Sequence, residues 1–216
     1  MVDQILHYVI LSGGLLAIMP LLFVLTLAVG LERLWLLGRT VRSGKRVHAA
    51  MRSVGYKDIE GLRSIARTEG KTLQGHLVAT AIASGADGAD EMEGHLEEEI
   101  MEAMPRLTRL MWILDTSVTI APLLGLFGTI VGMIQAFNVL SSHGGIADAL
   151  VSTGAGLMIA IVAVYFMNYL NTKMRVIVHQ MELIKLGLVN RFHGNGVVHD
   201  QGATPLRRPM PVAQGA

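Results

Sequence analysis

The sequence predicts an all-α integral membrane protein with three transmembrane helices and long helices that extend into the cytoplasm. Of the 216 residues, 51% are hydrophobic and only 16% are charged, and the mean hydropathy is +0.48. The apolar residues lie in blocks, and three blocks without a charged residue are long enough to cross a bilayer core of about 30 Å as helices. We predict transmembrane helices at 9–31, 116–140 and 149–170.

The distribution of basic residues predicts how these helices are oriented. The first span is followed by Arg33, Arg39, Arg42, Lys45, Arg46 and Arg52, and the third by Lys173, Arg175, Lys185 and Arg191. Residues 1–8 contain neither Lys nor Arg. Because basic segments stay in the cytoplasm, we expect a periplasmic N-terminus and a cytoplasmic C-terminus. The absence of a basic segment before the first span favours a retained anchor over a cleaved signal peptide.

The segments outside the spans follow from this topology. We predict a periplasmic N-terminus at 1–8, a cytoplasmic helical domain at 32–115, a periplasmic turn at 141–148, a cytoplasmic helix at 171–193 and a disordered tail at 194–216. Met92, Leu96, Ile100 and Met104 recur every four residues, which predicts an amphipathic helix. We expect this helix to run directly into the second span, with a kink or a break at Pro105.

Small residues recur three or four positions apart in spans two and three, and therefore lie on one face of each helix. They are Ala121, Gly125, Gly128 and Gly132 in span two, and Ser152, Gly156 and Ala160 in span three. Small residues let helices approach closely in lipid. We therefore predict helix packing at these positions, and packing alone is a sufficient explanation for them.

Hydroxyl and amide side chains also lie in these two spans. They are Thr116, Ser117, Thr119, Thr129, Gln135, Asn138, Ser152 and Thr153. Several such groups on the two helices of a hairpin indicate a wet or partner-facing interior. No Asp, Glu, Lys, Arg or His lies inside a span, and only Asp115 and Asp148 adjoin the edges of spans two and three. Since a proton path needs a titratable group, the chain alone is not a complete pump.

The sequence carries no pattern typical of an enzyme. It has no cysteine, and its eight histidines show no metal-ligand spacing and lie outside the spans. No nucleophile motif or pair of carboxylates lies at membrane depth. We therefore expect no enzymatic activity, no cofactor, no metal and no nucleic-acid partner.

Two motifs resemble a known family. IAPLLGLFGTIVGMIQAF at 120–137 is similar to the signature of the MotA/TolQ/ExbB proton-channel family, and GIADALVST at 145–153 resembles the start of that family's third span. The resemblance covers residues 87–172 and, with three spans and a large cytoplasmic loop, favours the ExbB/TolQ branch. It implies a bacterial inner-membrane protein.

This resemblance implies a homo-oligomer, a pentamer, around two copies of a single-span ExbD- or TolR-like partner that supplies an intramembrane aspartate, with protons as the coupling ion. By position, Thr129 and Thr153 match pore-lining threonines of the family, and Asp148 stands where an acidic residue is usual. Asp replaces the usual Glu at 148, so a helix cap is an open alternative for Asp148. Val162 stands where the family commonly has proline.

The function implied is that of a channel or stator subunit in a motor driven by the proton-motive force. An ExbB-like subunit that energises outer-membrane transport through a TonB-like protein is favoured. The alternatives are a TolQ-like subunit acting with a TolA-like protein in envelope integrity, a motility stator, and a membrane scaffold that conducts nothing.

Overall fold

Six α-helices make up the described part of the chain, and three of them are long and apolar enough to cross a membrane. The computed structural model describes residues 15–55, 58–138 and 145–194, except for the side chains of 15–17, 135, 138 and 145–149. The helices are α1 (Leu15–Ser53), α2 (Ile59–Glu69), α3 (Leu73–Ala83), α4 (Ala89–Thr108), α5 (Met111–Asn138) and α6 (Gly145–His193). No strand occurs in these ranges. The all-α class and the three candidate spans are confirmed.

The long helices do not end where the predicted spans end. α1 continues more than 20 residues past the predicted boundary at 31, and α6 carries both the third span and the segment 171–193 as one helix. Apolarity stops at the membrane surface, but Lys, Arg and Leu are good helix formers that let the helix continue. The predicted terminus 1–8, residues 141–144 of the predicted turn and the tail from 195 onward lie outside the described residues. The prediction of a turn is wrong for residues 145–148, which already form the first turn of α6.

A break at Arg109 and Leu110 separates α4 from α5. Arg109 has an extended ψ of 135°, and Leu110 has a positive φ of 63°, which is uncommon for a bulky residue. The prediction that the helix of Met92 and Leu96 runs directly into the second span is therefore wrong. Pro105 does not make the break, because it lies inside α4 and disturbs only the turn that precedes it.

The three short helices form a domain that packs on the extensions of α1 and α6. The side chain of Asp58 caps α2 by accepting from the Gly61 amide at 2.9 Å, and Thr72 caps α3 by accepting from Gly75. Their apolar faces join one core, whose fully buried members include Leu37, Leu77, Met92, Leu96, Ile177 and Ile184. Met104 was expected on this face of α4 but is 39% exposed. Four-residue steps drift around a helix of 3.6 residues per turn, and Ala103 is buried instead.

Close contacts fix the directions of the long helices. Gly30 faces the Phe166 ring and Gly44 faces the Gln180 amide, so α1 and α6 run parallel with a constant offset. α5 runs antiparallel to both. The second halves of α1 and α6 therefore leave the apolar region at the same end, beside α2–α4, which we call the domain side.

Candidate functional site

The closest contact between α5 and α6 lies where Gly125 meets Gly156. A Cβ added to Gly156 would lie 2.5 Å from the Ala121 carbonyl oxygen and 3.0 Å from the Gly125 Cα. A Cβ on Gly125 would lie 3.0 Å from the Ser152 carbonyl oxygen. Ala121 and Ala160 are buried in one cluster beside this crossing. These five small residues thus hold α5 and α6 of one chain together.

Thr153 links the two helices at the same crossing. Its hydroxyl donates a hydrogen bond to the Gly125 carbonyl of α5 at 3.1 Å, and its side chain is half-buried. The hydroxyl oxygen keeps lone pairs that can accept from water or from a partner. Thr153 can therefore stabilise the crossing and still face a polar path.

Thr129 lies one turn beyond Gly125 on α5 and is also half-buried. Its hydroxyl donates to the Leu126 carbonyl of its own helix at 2.7 Å, which satisfies the donor in an apolar setting. Among the described hydrogen bonds, none joins Thr129 to Thr153. Gly128 is buried, and Gly132 is half-buried.

Thr129 and Thr153 lie on the side of the α5–α6 pair that is remote from α1. Successive residues of an α-helix are rotated by about 100° around its axis. Viewed along α5, Ser117 points to α1, and Gly125 is rotated about 80° from Ser117 and points to α6. Thr129 is rotated about 40° further in the same direction, away from α1. On α6, Phe166 points to α1, and Thr153 lies on the opposite flank of Gly156. We call this flank, with both threonines at its rim, the open side of α5–α6.

A polar contact that no sequence motif predicts lies on the side of α5 that faces α1. Thr26 of α1 and Ser117 of α5 are fully buried, and their hydroxyl oxygens are 3.0 Å apart in a hydrogen bond. Ser117 therefore belongs to the packing of α1 on α5, and its expected place in a wet interior is wrong. Thr26 is the only threonine in the predicted first span, which indicates a buried hydroxyl in need of a partner. The identity of that partner depends on how α1 and α5 are rotated against each other.

Few ionisable groups lie in or beside the apolar parts of the second and third spans. Asp115 is the only Asp, Glu, Lys, Arg or His in α5, and it is exposed. Asp148 falls in the first turn of α6, but its side chain, like those of Gln135 and Asn138, lies outside the described residues. No group of side chains suited to a metal ion is found in the described ranges. In the described residues, the arrangement offers hydroxyl groups along the crossing of α5 and α6.

This geometry defines a helical membrane protein built on a tightly packed transmembrane hairpin. Residues 62–183, more than half of the chain, match the model of the MotA/TolQ/ExbB proton channel family. The chain therefore belongs to that family, and its curated relatives place it in the ExbB-like branch.

Three relatives illustrate the similarity. A putative biopolymer transport protein ExbB-like 1 of Synechocystis sp. is 28% identical over 71% of this chain and 65% of its own length. A putative biopolymer transport protein ExbB homolog of Methanothermobacter thermautotrophicus is 28% identical over 59% of this chain and 47% of its own. The biopolymer transport protein ExbB of Neisseria gonorrhoeae is 24% identical over 68% and 66%, respectively. The chain thus spans less than two thirds of the length of these relatives.

Proposed function

We propose that this chain is the ExbB-like channel subunit of a motor in the bacterial inner membrane that is driven by the proton-motive force. In this role it energises TonB-dependent outer-membrane transport together with an ExbD-like partner. The observation that carries the proposal is the open side of α5–α6, where Thr129 and Thr153 present half-buried hydroxyls beside a closely packed crossing. Family membership and the ExbB names of the relatives support it.

The proposed assembly is a pentamer that surrounds the spans of two copies of a single-span partner. Apolar side chains on the open side support an assembly, since Leu126, Ile130 and Leu157 are each about half exposed in one chain. The partner supplies the titrating aspartate, while Thr129, Thr153 and Asp148 line its path. A carboxylate in hydrocarbon has a strongly raised pKa, so polar surroundings are needed for proton release.

The proposed orientation has the domain side in the cytoplasm and the N-terminus in the periplasm. It is supported by the parallel arrangement of α1 and α6, whose basic segments emerge at one end. Basic residues are enriched on the cytoplasmic side of membrane proteins.

Threonine-to-valine substitutions test the proton path. Thr129→Val and Thr153→Val keep the shape of the side chain and remove the hydroxyl, so we expect each to abolish proton-driven uptake in a complementation assay. Thr129→Ser and Thr153→Ser keep the hydroxyl and are expected to retain uptake. Protein level and the mass of the purified complex are measured in parallel.

Thr153→Val also removes the hydrogen bond to Gly125, worth about 1 kcal/mol, so Thr129→Val is the cleaner variant. Among the hydrogen bonds of the described residues, its hydroxyl bonds within its own helix, and we expect the complex to assemble normally. Full uptake in the double variant Thr129→Val/Thr153→Val would overturn the proton path through these residues and favour a scaffold that conducts nothing.

A further inference from the structure

Asp115 lies inside a membrane-spanning helix, and its carboxylate takes part in none of the contacts described above. α5 begins at Met111, so Asp115 lies within the apolar helix instead of before it. We infer that Asp115 is the proton acceptor at the domain-side end of the path, a role that rests on the proposed function. It would receive protons that pass the threonines and release them to the cytoplasm.

The position of Asp115 on α5 carries this inference. Asp115 lies 14 residues before Thr129, with Pro122 midway, and steps of seven residues return to nearly the same face of a helix. Asp115 is therefore on the open side, about 21 Å from Thr129 toward the domain side. Thr119 is exposed one turn from Asp115, and its hydroxyl bonds to the Thr116 carbonyl of its own helix at 3.0 Å.

Polar groups on α6 continue in the same direction. Asn171 lies 18 residues after Thr153, which is five turns of helix and hence the same face. Asn168 is exposed beside it. Because α6 runs toward the domain side, these amides lie beyond the level of Asp115 and offer hydrogen-bonding groups along the way out.

The surroundings of Asp115 do not favour a role in an ion pair or as a helix cap. No described ion pair includes Asp115, and Trp112, one turn closer to the domain side, is 67% exposed, as is usual for tryptophan at a membrane surface. A carboxylate one turn deeper is costly against lipid and normally faces water or a partner. It is not a helix cap, since the first turn of α5 contains no acidic residue and the stabilising effect of a helix N-terminus fades beyond that turn.

The chemistry is a relay of one proton at a time. The partner's protonated aspartate breaks its O–H bond and gives the proton to a water molecule, which becomes a hydronium ion. The hydronium ion transfers a proton to an Oδ of Asp115, which forms an O–H bond and leaves water behind. The carboxylic acid then gives that proton to a water molecule on the cytoplasmic side. This second step regenerates the carboxylate and a hydronium ion, so charge and atoms balance over the cycle.

Proton flux through the complete complex in liposomes, driven by an imposed membrane potential, tests the relay. We expect Asp115→Asn, which keeps the size but cannot accept a proton, to lower the flux at least about tenfold, a modest value for loss of a proton-transfer group. Asp115→Glu should keep most of the flux. Glu32→Gln is the matched control, because Glu32 of α1 is an exposed carboxylate that lies, like Asp115, toward the domain side. This variant should leave the flux unchanged.

The outcomes separate the relay from the proposed function. Wild-type flux in Asp115→Asn, with flux lost in Thr129→Val, would overturn the relay and leave the channel intact. Loss of the assembled complex in Asp115→Asn would also overturn it, because the carboxylate would then be a contact between subunits. Absence of flux in the wild-type complex would overturn the channel itself.

Discussion

At the scale of single residues, Gly154 and Gly156 are two positions apart on α6 but meet different surroundings. A Cβ on Gly156 would contact the α5 backbone, whereas a Cβ on Gly154 would meet nothing within 4 Å. We expect Gly156→Ala to lower the free energy of unfolding by about 1–3 kcal/mol through overpacking. Gly154→Ala should raise it by up to about 1 kcal/mol, because alanine favours the helix.

Unfolding of the single chain in a denaturing detergent, followed by circular dichroism, measures both changes. Equal stability of the two variants would mean that α5 and α6 do not approach closely at Gly156. The same experiment with Gly125→Ala should agree with Gly156→Ala, since the two glycines share one contact.

The role of a residue could be predicted from the sequence where that role depends only on the residue's own helix, and not where it depends on a neighbouring helix. The spacing of Gly125 and Gly156 within each helix predicts a small face, because it depends only on the helical period. The acceptor of the Thr153 hydrogen bond and the pairing of Ser117 with Thr26 depend on the rotation and depth of a neighbouring helix. The exposure of Asp115 inside α5 likewise depends on where that helix begins.

At the scale of elements, Lys185 links α6 to α4. Its Nζ lies 2.6 Å from Glu97 Oε2 and 3.3 Å from Glu93 Oε1, and its side chain is only 13% exposed. The hydrogen bond with Glu97 raises the pKa of Lys185 above its ordinary value of 10.5, against the lowering effect of burial. We expect Glu97→Gln to weaken the docking of α4 by about 0.5–1 kcal/mol, since both glutamates are partly solvated.

Hydrogen exchange of the α4 amides at neutral pH measures this loss, with faster exchange expected in Glu97→Gln. Because the pKa of Lys185 is raised in the folded state, its contribution is fully present below 10.5 and is lost as the pH rises through the folded value. The difference between variant and wild type should therefore shrink above pH 10.5. Glu98→Gln is the control, as Glu98 is exposed and makes no ion pair in the described chain. Equal exchange in both variants would contradict the link.

The break between α4 and α5 shows why element boundaries were harder to predict than element types. Neither Arg109 nor Leu110 is a residue that usually ends a helix, and the nearby Pro105 pointed to the wrong position. Leu107 and Met111 on either side of the break are buried in the core. Tertiary packing therefore imposes the positive φ of Leu110, and no pattern in the neighbouring sequence predicts it.

At the scale of the whole molecule, the parallel course of α1 and α6 makes the topology testable with few probes. The chain contains no cysteine, so single substitutions His143→Cys, Lys57→Cys and Gly196→Cys give unambiguous labelling sites. We expect a membrane-impermeant maleimide to label position 143 from the periplasm, and positions 57 and 196 only after the inner membrane is opened. The physical reason is the excess of Lys and Arg in the second halves of α1 and α6, which emerge together on the domain side. Labelling of position 143 only after opening would invert the orientation, place Asp115 near the periplasm, and make the proposed relay a proton entrance.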